Sequence, residues 1–191
     1  LLRYRSTGYP HLVGASIWED RPLGIGRDSA GVVRWLTRGF VAMKTPPSQR
    51  LVELGITLPP PPEPAGNYIH AVKTGNLLFL AGKADGPYIG KVGRDVTVDE
   101  ACAYARQTGI QLLGVIAHEL GSIDRVTQIV KVFGLVNATD DFTEHPKVMN
   151  GCSDLLEDVF GENGRHARTS VGAGSLPGNI PVEIDMVVEF A

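Results

Sequence analysis

The stretch from residue 165 to residue 189 constrains the fold more than any other part of the chain. Apolar and β-branched side chains alternate with other residues at period two on both sides of a Leu-Pro-Gly-Asn sequence at 176–179. This pattern is typical of two strands joined by a loop. The apolar residues of the second strand share one face, which we expect to lie in the core: Val182, Ile184, Met186 and Val188.

Two charged residues of this predicted hairpin suggest a site. Arg168 and Ser170 share one face of the first strand, and Glu183 points away from the core in the second strand. If the two strands pair, Arg168 and Glu183 lie side by side on the outward face. A guanidinium and a carboxylate held by a sheet are suited to bind a small acid and to move a proton on it. A structural ion pair is the alternative interpretation.

The sequence before the hairpin predicts further strands and helices. A short helix fits within residues 46–55, and the proline-rich segment 58–64 must be extended. Strands are predicted at 68–73 and 76–82, with a turn centred on Gly75 and Asn76. Thr97 and Glu100 match the capping box of a long helix that ends at Gly121.

A β-rich run at 125–137 predicts a third strand, and a second helix follows it. The sequence Thr139-Asp140-Asp141 is expected to cap this helix. We expect the helix to break or restart at Pro146 and to end at Gly161. The predicted order is therefore ββαβαββ, an α+β fold with one sheet and two helices on one face. The bare face of such a sheet favours burial against another subunit.

Composition narrows the class of protein. A chain of 191 residues with 43% apolar content supports one core, and a formal charge of −3 gives no electrostatic reason to expect nucleic acid as a partner. No apolar run approaches the roughly 20 residues that span a bilayer. Cys102 and Cys152 form no C-x-x-C motif, and the histidines show no metal-ligand spacing. We expect a soluble, cytoplasmic protein with reduced cysteines and no metal.

Residues 1–42 differ from the rest of the chain. Both tryptophans lie here, the basic residues are all arginine, and the first methionine is Met43. Three interpretations remain open: a small extra element, a targeting presequence that would make the protein organellar, or upstream translated sequence absent from the natural protein. We expect residues 43–66 to form an arm with a proline-rich linker, and residues 67–191 to form the main domain.

Several motifs of the predicted domain resemble those of the RidA family, also called YjgF or endoribonuclease L-PSP. They are Tyr-Ile-His-Ala-Val at 68–72, Gly-Asn-Leu-Leu-Phe at 75–79, Ala-Gly-Lys at 81–83, Arg-Thr-Ser-Val at 168–171, Leu-Pro at 176–177 and Val-Glu-Ile-Asp at 182–185. The resemblance covers roughly residues 48–190. Other runs resemble a divergent branch of the family whose members mostly have no assigned activity.

The resemblance implies a chorismate-mutase-like fold and a homotrimer with clefts at the subunit interfaces. It implies hydrolysis of reactive enamines and imines to 2-keto acids and ammonia, without a cofactor. Arg168 matches the arginine that binds the substrate carboxylate, and Glu183 matches the acid that activates water. Tyr68 matches an aromatic residue near the substrate. Ser170 matches a position whose backbone groups contact the bound imine or water.

The chain departs from the active deaminases at three positions. Ala81 replaces a serine, Ser170 replaces a cysteine, and Gly172 stands where a larger residue is usual, which is expected to enlarge the site. His166 is expected on the face of Arg168, either as an acid or base near pH 7 or as a loop histidine. Two alternatives to a deaminase therefore stay open: a non-catalytic metabolite-binding trimer and an endoribonuclease.

Overall fold

The computed structural model describes residues 45–84 and 86–191, together with the backbone of two short strands nearer the amino terminus. These are β1 (Gly26–Arg27) and β2 (Val33–Arg34), which pair antiparallel. Leu1–Met43 and Lys44–Ala191 are separate compact units. Apart from β1 and β2, the predictions for residues 1–42 lie outside the described residues.

In the unit Lys44–Ala191, the residues that the structure describes form three helices and five strands. In chain order they are α1 (Pro47–Glu53), β3 (Ala71–Thr74), β4 (Leu77–Leu80), α2 (Val98–Leu120), β5 (Val126–Asn137), α3 (His145–Phe160), β6 (Ala167–Ala173) and β7 (Val182–Phe190). Short 3-10 turns lie at Ile123–Arg125, Gly161–Gly164 and Pro177–Asn179. None of the helices in the described part of the chain is long and apolar enough to cross a membrane.

Local sequence signals set the boundaries of the first strands and of α2. Thr74 pairs with Leu77 across a two-residue turn, where Gly75 has a φ of 57°. The Thr97 hydroxyl accepts from the Glu100 N–H, and the Glu100 carboxylate accepts from the Thr97 N–H, so the capping box is confirmed. Gly121 ends α2 in the left-handed conformation, as predicted.

The predicted cap of α3 is wrong. The helix begins at His145, its N-cap Glu144 makes no side-chain cap, and Pro146 lies in its first turn. Proline is favoured there because its fixed φ suits a helix start and its missing N–H costs no helical hydrogen bond. Thr139 instead belongs to a turn, in which its carbonyl accepts from the Phe142 N–H at 3.1 Å.

The predicted closing hairpin is also wrong. The five strands lie in the order β3-β4-β7-β5-β6, so β5 separates β6 from β7. β5 pairs with β6 in parallel and with β7 antiparallel. The helix α3 supplies the crossover that a parallel pair requires, and the long segment from β6 to β7 lets the chain pass β5.

Both long helices pack on one face of this sheet and close the core. The predicted core face of β7 is confirmed, because Val182 is 2% exposed and Ile184, Met186 and Val188 are fully buried. The opposite face of the sheet is open and partly apolar. Its exposed hydrophobic side chains include Val72, Phe79 and Val171.

Candidate functional site

A cavity of about 590 Å³ lies beside the start of β7. Its wall is formed by the proline-rich segment, the residues just after β4, one position of α2 and the loop between β6 and β7. The polar and aromatic residues of its lining are Glu63, Tyr68, Lys83, Gln111 and Glu183.

The segment after β4 brings Glu183 to the cavity. Lys83 and Ile184 exchange two backbone hydrogen bonds of 2.9 Å, so residues 81–83 continue β4 along β7. A Cβ atom at Gly82 would collide with Glu183 Oε1, and glycine therefore lets the carboxylate lie against the main chain. Burial raises the pKa of Glu183, the charge of Asp185 raises it further, and the charge of Lys83 opposes both effects. Glu183 can therefore hold and release a proton at a higher pH than an ordinary glutamate.

Lys83 is 4% exposed although it lines the cavity. Its Nζ donates to the backbone carbonyls of Ala81 at 3.3 Å and Gly82 at 3.1 Å. The nitrogen also lies 5.5 Å from the centre of the Tyr68 ring. Burial lowers the pKa of Lys83, and the nearby Glu183 partly counteracts this.

The proline-rich segment is held in place as one wall of the cavity. The His70 ring bonds through Nε2 to the Pro62 carbonyl at 2.5 Å, and Tyr68 Oη accepts from the Ala65 N–H at 3.3 Å. The segment also runs against α2, because a Cβ at Gly114 would collide with the Pro59 carbonyl oxygen. The arm is thus packed against the domain.

Arg168 belongs to a second polar cluster, between β6 and α3. Its guanidinium donates to Asn150 Oδ1 at 3.0 Å and to Ser153 Oγ at 2.9 Å. His166 lies within 3.1 Å of Ser153 Oγ through Nε2 and within 2.6 Å of the Gly164 carbonyl through Nδ1. Since a carbonyl can only accept, Nδ1 carries the proton and Nε2 accepts from the serine. Burial lowers the pKa of His166, so the neutral ring is favoured.

The prediction that Arg168 and Glu183 lie side by side is wrong within one chain. Arg168 reaches α3, which packs on the helix side of the sheet, whereas Glu183 lies between buried Val182 and Ile184 and points to the other side. The two strands are also not neighbours. Alternation alone assigns faces within a strand, and it cannot show which strand lies next to it.

The structure places the other sequence-predicted residues as follows. Tyr68 lines the cavity with Glu183, whereas His166 shares Ser153 with Arg168, on the face expected for it. Ser170 is half-buried, and its Oγ has no hydrogen-bond partner among the described residues. Gly172 does not enlarge the site, because His145 Nε2 lies 2.7 Å from the position of a Cβ there.

Sequence reasoning missed Lys83, Asn150 and Ser153 as functional side chains. Asn150 and Ser153 are three residues apart on α3, and that spacing places them on one helix face beside Arg168. In the sequence Lys83 stands only as the last residue of the Ala-Gly-Lys motif at 81–83. Its burial could not be inferred, because lysine is almost never fully buried in proteins.

Within the described residues, no three His, Cys, Asp or Glu side chains form a metal-ligand group. Both cysteines are free, and burial raises the pKa of Cys152 to about 12. That thiol therefore stays protonated and acts as a core side chain.

The sequence model of the family described as "YjgF/chorismate_mutase-like, putative endoribonuclease" matches residues 48–190, about three quarters of the chain. The chain belongs to the YjgF family. The match covers the stretch that the sequence motifs indicated, and the mixed sheet with its helices is the fold of that family.

Among the related proteins of the YjgF family, some names state an activity and others do not. The chain is 41% identical to protein TCP17 of Trypanosoma cruzi over 146 residues, which cover 73% of this chain and 91% of that protein. It is 28% identical to a 2-iminobutanoate/2-iminopropanoate deaminase of Dermatophagoides farinae over 138 residues, 70% of this chain and 93% of the relative. The crystal structure of Atu1372, a protein of unknown function from Agrobacterium tumefaciens, is similar with a TM-score of 0.69 at 38% identity. That similarity covers 75% of this chain and 91% of the other.

Proposed function

We propose that this YjgF-family protein hydrolyses small 2-imino acids and their enamine tautomers to 2-keto acids and ammonia, without a cofactor. The observation that carries the proposal is the placement of Glu183. It borders a cavity of about 590 Å³ against a chain segment that has no side chain at Gly82, and burial raises its pKa. A deaminase of imino acids among the relatives supports the same chemistry.

The reaction needs a proton to move twice. As a carboxylate, Glu183 takes a proton from the water that attacks the C=N carbon. As a carboxylic acid, it returns that proton to the nitrogen and gives a carbinolamine. Glu183 then moves the proton of the new hydroxyl group to the nitrogen in the same way, so that C=O forms and ammonia leaves. A group with a pKa above that of an ordinary glutamate serves both steps better near neutral pH, and Tyr68 supplies an aromatic wall beside the substrate.

In this proposal Arg168 binds the substrate carboxylate, because guanidinium pairs with carboxylate through two parallel hydrogen bonds. Within one chain Arg168 and Glu183 lie on opposite faces of the sheet, so a site containing both must use two copies of the chain. The open sheet face supports such an assembly, since Val72 is 52% and Phe79 44% exposed there. We therefore propose a homotrimer in which each site combines Glu183 of one subunit with Arg168 of the next.

Ribonuclease activity is disfavoured by the charges at the cavity. Two glutamates, Glu63 and Glu183, line it with one lysine, Lys83, and the chain as a whole carries a formal charge of −3. Phosphodiester binding needs an excess of positive charge along the contact surface. A small acid bound by one arginine needs no such surface.

The test is a coupled assay in which an amino-acid oxidase releases imine in the presence of semicarbazide. We expect the protein to suppress semicarbazone formation, and Glu183→Gln to lower this rate by about 10²-fold, as loss of an acid–base group does. Glu189→Gln is the matched control, because Glu189 is on the same strand and hydrogen-bonds Asn76 and Thr127 instead. If the folded protein binds a 2-keto acid but leaves semicarbazone formation unchanged, the deaminase proposal is wrong and metabolite binding replaces it.

A further inference from the structure

Lys83 lines the same cavity as Glu183, its Nζ lies 5.5 Å from the centre of the Tyr68 ring in that lining, and the hydrolysis described above does not use it. We propose that Lys83 is a nucleophile that forms a covalent imine with the C2 carbon of the substrate. Hydrolysis then proceeds through a lysine-bound ketimine. This inference rests on the proposed function for its substrate class, but the reaction of Lys83 with a 2-keto acid can be measured separately.

The hydrogen bonds of Lys83 fit a neutral amine. A neutral amine has two N–H donors and one lone pair, whereas an ammonium group has three donors. Among the residues that the structure describes, the acceptors of Nζ are the carbonyls of Ala81 and Gly82, and no carboxylate lies within 4 Å of it. These two carbonyls occupy both donors of the neutral form and leave its lone pair available.

The surroundings of Lys83 favour the same form. The residue is 4% exposed, and removing an ammonium group from water costs free energy unless a counter-charge compensates. The lowered pKa of Lys83 agrees with this, although Glu183 acts in the opposite direction. A desolvated lysine amine of this kind is the usual nucleophile of enzymes that form imines with carbonyl compounds.

Glu183 is placed to move the protons that this chemistry requires. Lys83 pairs with Ile184 through the backbone, so Glu183 is the next residue along the partner strand. Both residues line one cavity, and the charge of Glu183 acts on the Lys83 amine. The Tyr68 ring, 5.5 Å from Nζ, lies beside them.

The steps balance without an oxidant or a reductant. The lone pair of Lys83 forms a bond to C2 of the imino acid, and the C=N electron pair moves to the imino nitrogen. Protons pass from the lysine nitrogen through Glu183 to that nitrogen, the C–N bond breaks and ammonia leaves. Water then adds to the lysine ketimine, and Glu183 carries both water protons, one after the other, to Nζ. Cleavage of the bond between C2 and Nζ then releases the 2-keto acid and the free amine.

Borohydride trapping tests the inference on the full chain. The protein is incubated with pyruvate at neutral pH, reduced with sodium borohydride and mapped by peptide mass spectrometry. We expect the reduced adduct on Lys83 at about tenfold or more over Lys91, because a desolvated amine beside the cavity captures the carbonyl compound more readily. Lys91 is the matched control, because it also donates to two backbone carbonyls, those of Ala138 and Gly174, but does not border this cavity.

Two variants make the test specific. Lys83→Gln and Lys83→Arg are both expected to lose the adduct and to lower turnover in the coupled assay, although arginine keeps the positive charge. Circular dichroism and the oligomeric state show that each variant is folded. Equal labelling of Lys83 and Lys91, or full turnover by folded Lys83→Arg, would overturn the inference.

Failure of the proposed function gives a different result. If Lys83 is trapped selectively but the coupled assay shows no imine hydrolysis, the lysine nucleophile stands and the deaminase proposal falls. If imine hydrolysis occurs without selective trapping and survives in Lys83→Gln, the deaminase stands and the lysine inference falls.

Discussion

A mixture of two inactive variants tests whether the site is shared between subunits. Arg168 is aligned with Val132 of β5 and Glu183 with Leu135, so the two residues are three positions, or about 10 Å, apart along the strands. They also lie on either side of β5, which adds about 10 Å across the sheet. Their Cα atoms are therefore about 14 Å apart. Because their side chains also point to opposite faces, they cannot hold one small substrate within a single chain.

We expect Arg168→Ala and Glu183→Gln to be inactive when each is assayed alone. When equal amounts are refolded together, a site is intact if one subunit supplies Glu183 and its neighbour supplies Arg168. The subunit that supplies Glu183 carries it with a chance of one half, and the neighbour carries Arg168 with the same chance. About one quarter of the sites are therefore intact, and about one quarter of the wild-type activity should return.

The assay is imine hydrolysis in the semicarbazide-coupled reaction, with subunit exchange verified by native mass spectrometry. Mixing Arg168→Ala with the double variant that carries both substitutions is the control, since no arrangement of these chains restores a site. If exchange is complete and activity does not rise above that control, the shared site is refuted.

Three further predictions follow from the described geometry. Gly82→Ala should lower turnover with little loss of stability, because the new methyl group displaces the flexible Glu183 carboxylate. Gly174→Ala is the control: a Cβ there meets nothing within 4 Å, so turnover should be unchanged. Asn137→Ala should lower the free energy of unfolding by about 2–3 kcal/mol in chemical denaturation, because the buried amide donates to Asn179 and to the Ile180 carbonyl. Gln49→Ala, at an exposed position, should leave the free energy of unfolding unchanged. The raised pKa of Glu183 means that the folded state binds the proton more tightly than the unfolded state, so stability falls as pH rises above the ordinary carboxyl range. Glu183→Gln should therefore gain stability relative to the wild type as pH rises above about 4, the ordinary glutamate range. A difference in the free energy of unfolding that does not change with pH would contradict this reasoning.

Much of the fold could be predicted from local signals. The turn at Gly75, the capping box of Thr97 and the buried face of β7 each depend on residues close together in sequence. Periodicity and capping depend on residues only a few positions apart, so they can be recognised without knowledge of the tertiary structure. The start of α3 was missed because Pro146 fixes a helix start as effectively as a side-chain cap does.

The candidate site was harder to predict because it depends on strand order. β6 and β7 are consecutive in sequence, and consecutive strands often pair, but the central β5 takes both as neighbours. Alternation placed Arg168 and Glu183 on one face each of their own strands, but their separation, and the position of Arg168 on the helix side, follow only from that order. The burial of Lys83 depends on the path of residues 81–83 along β7 and on the cover provided by the segment before β3.

That cover has a consequence for how the protein can change over evolution. Pro62, Glu63 and Ala65 form part of the cavity wall but belong to a segment outside the sheet, tied down by His70 and Tyr68. Substitutions there alter the size and charge of the cavity without removing a strand hydrogen bond or a core side chain. Substrate range can therefore diverge among relatives while the sheet, and the acid it carries, stays the same.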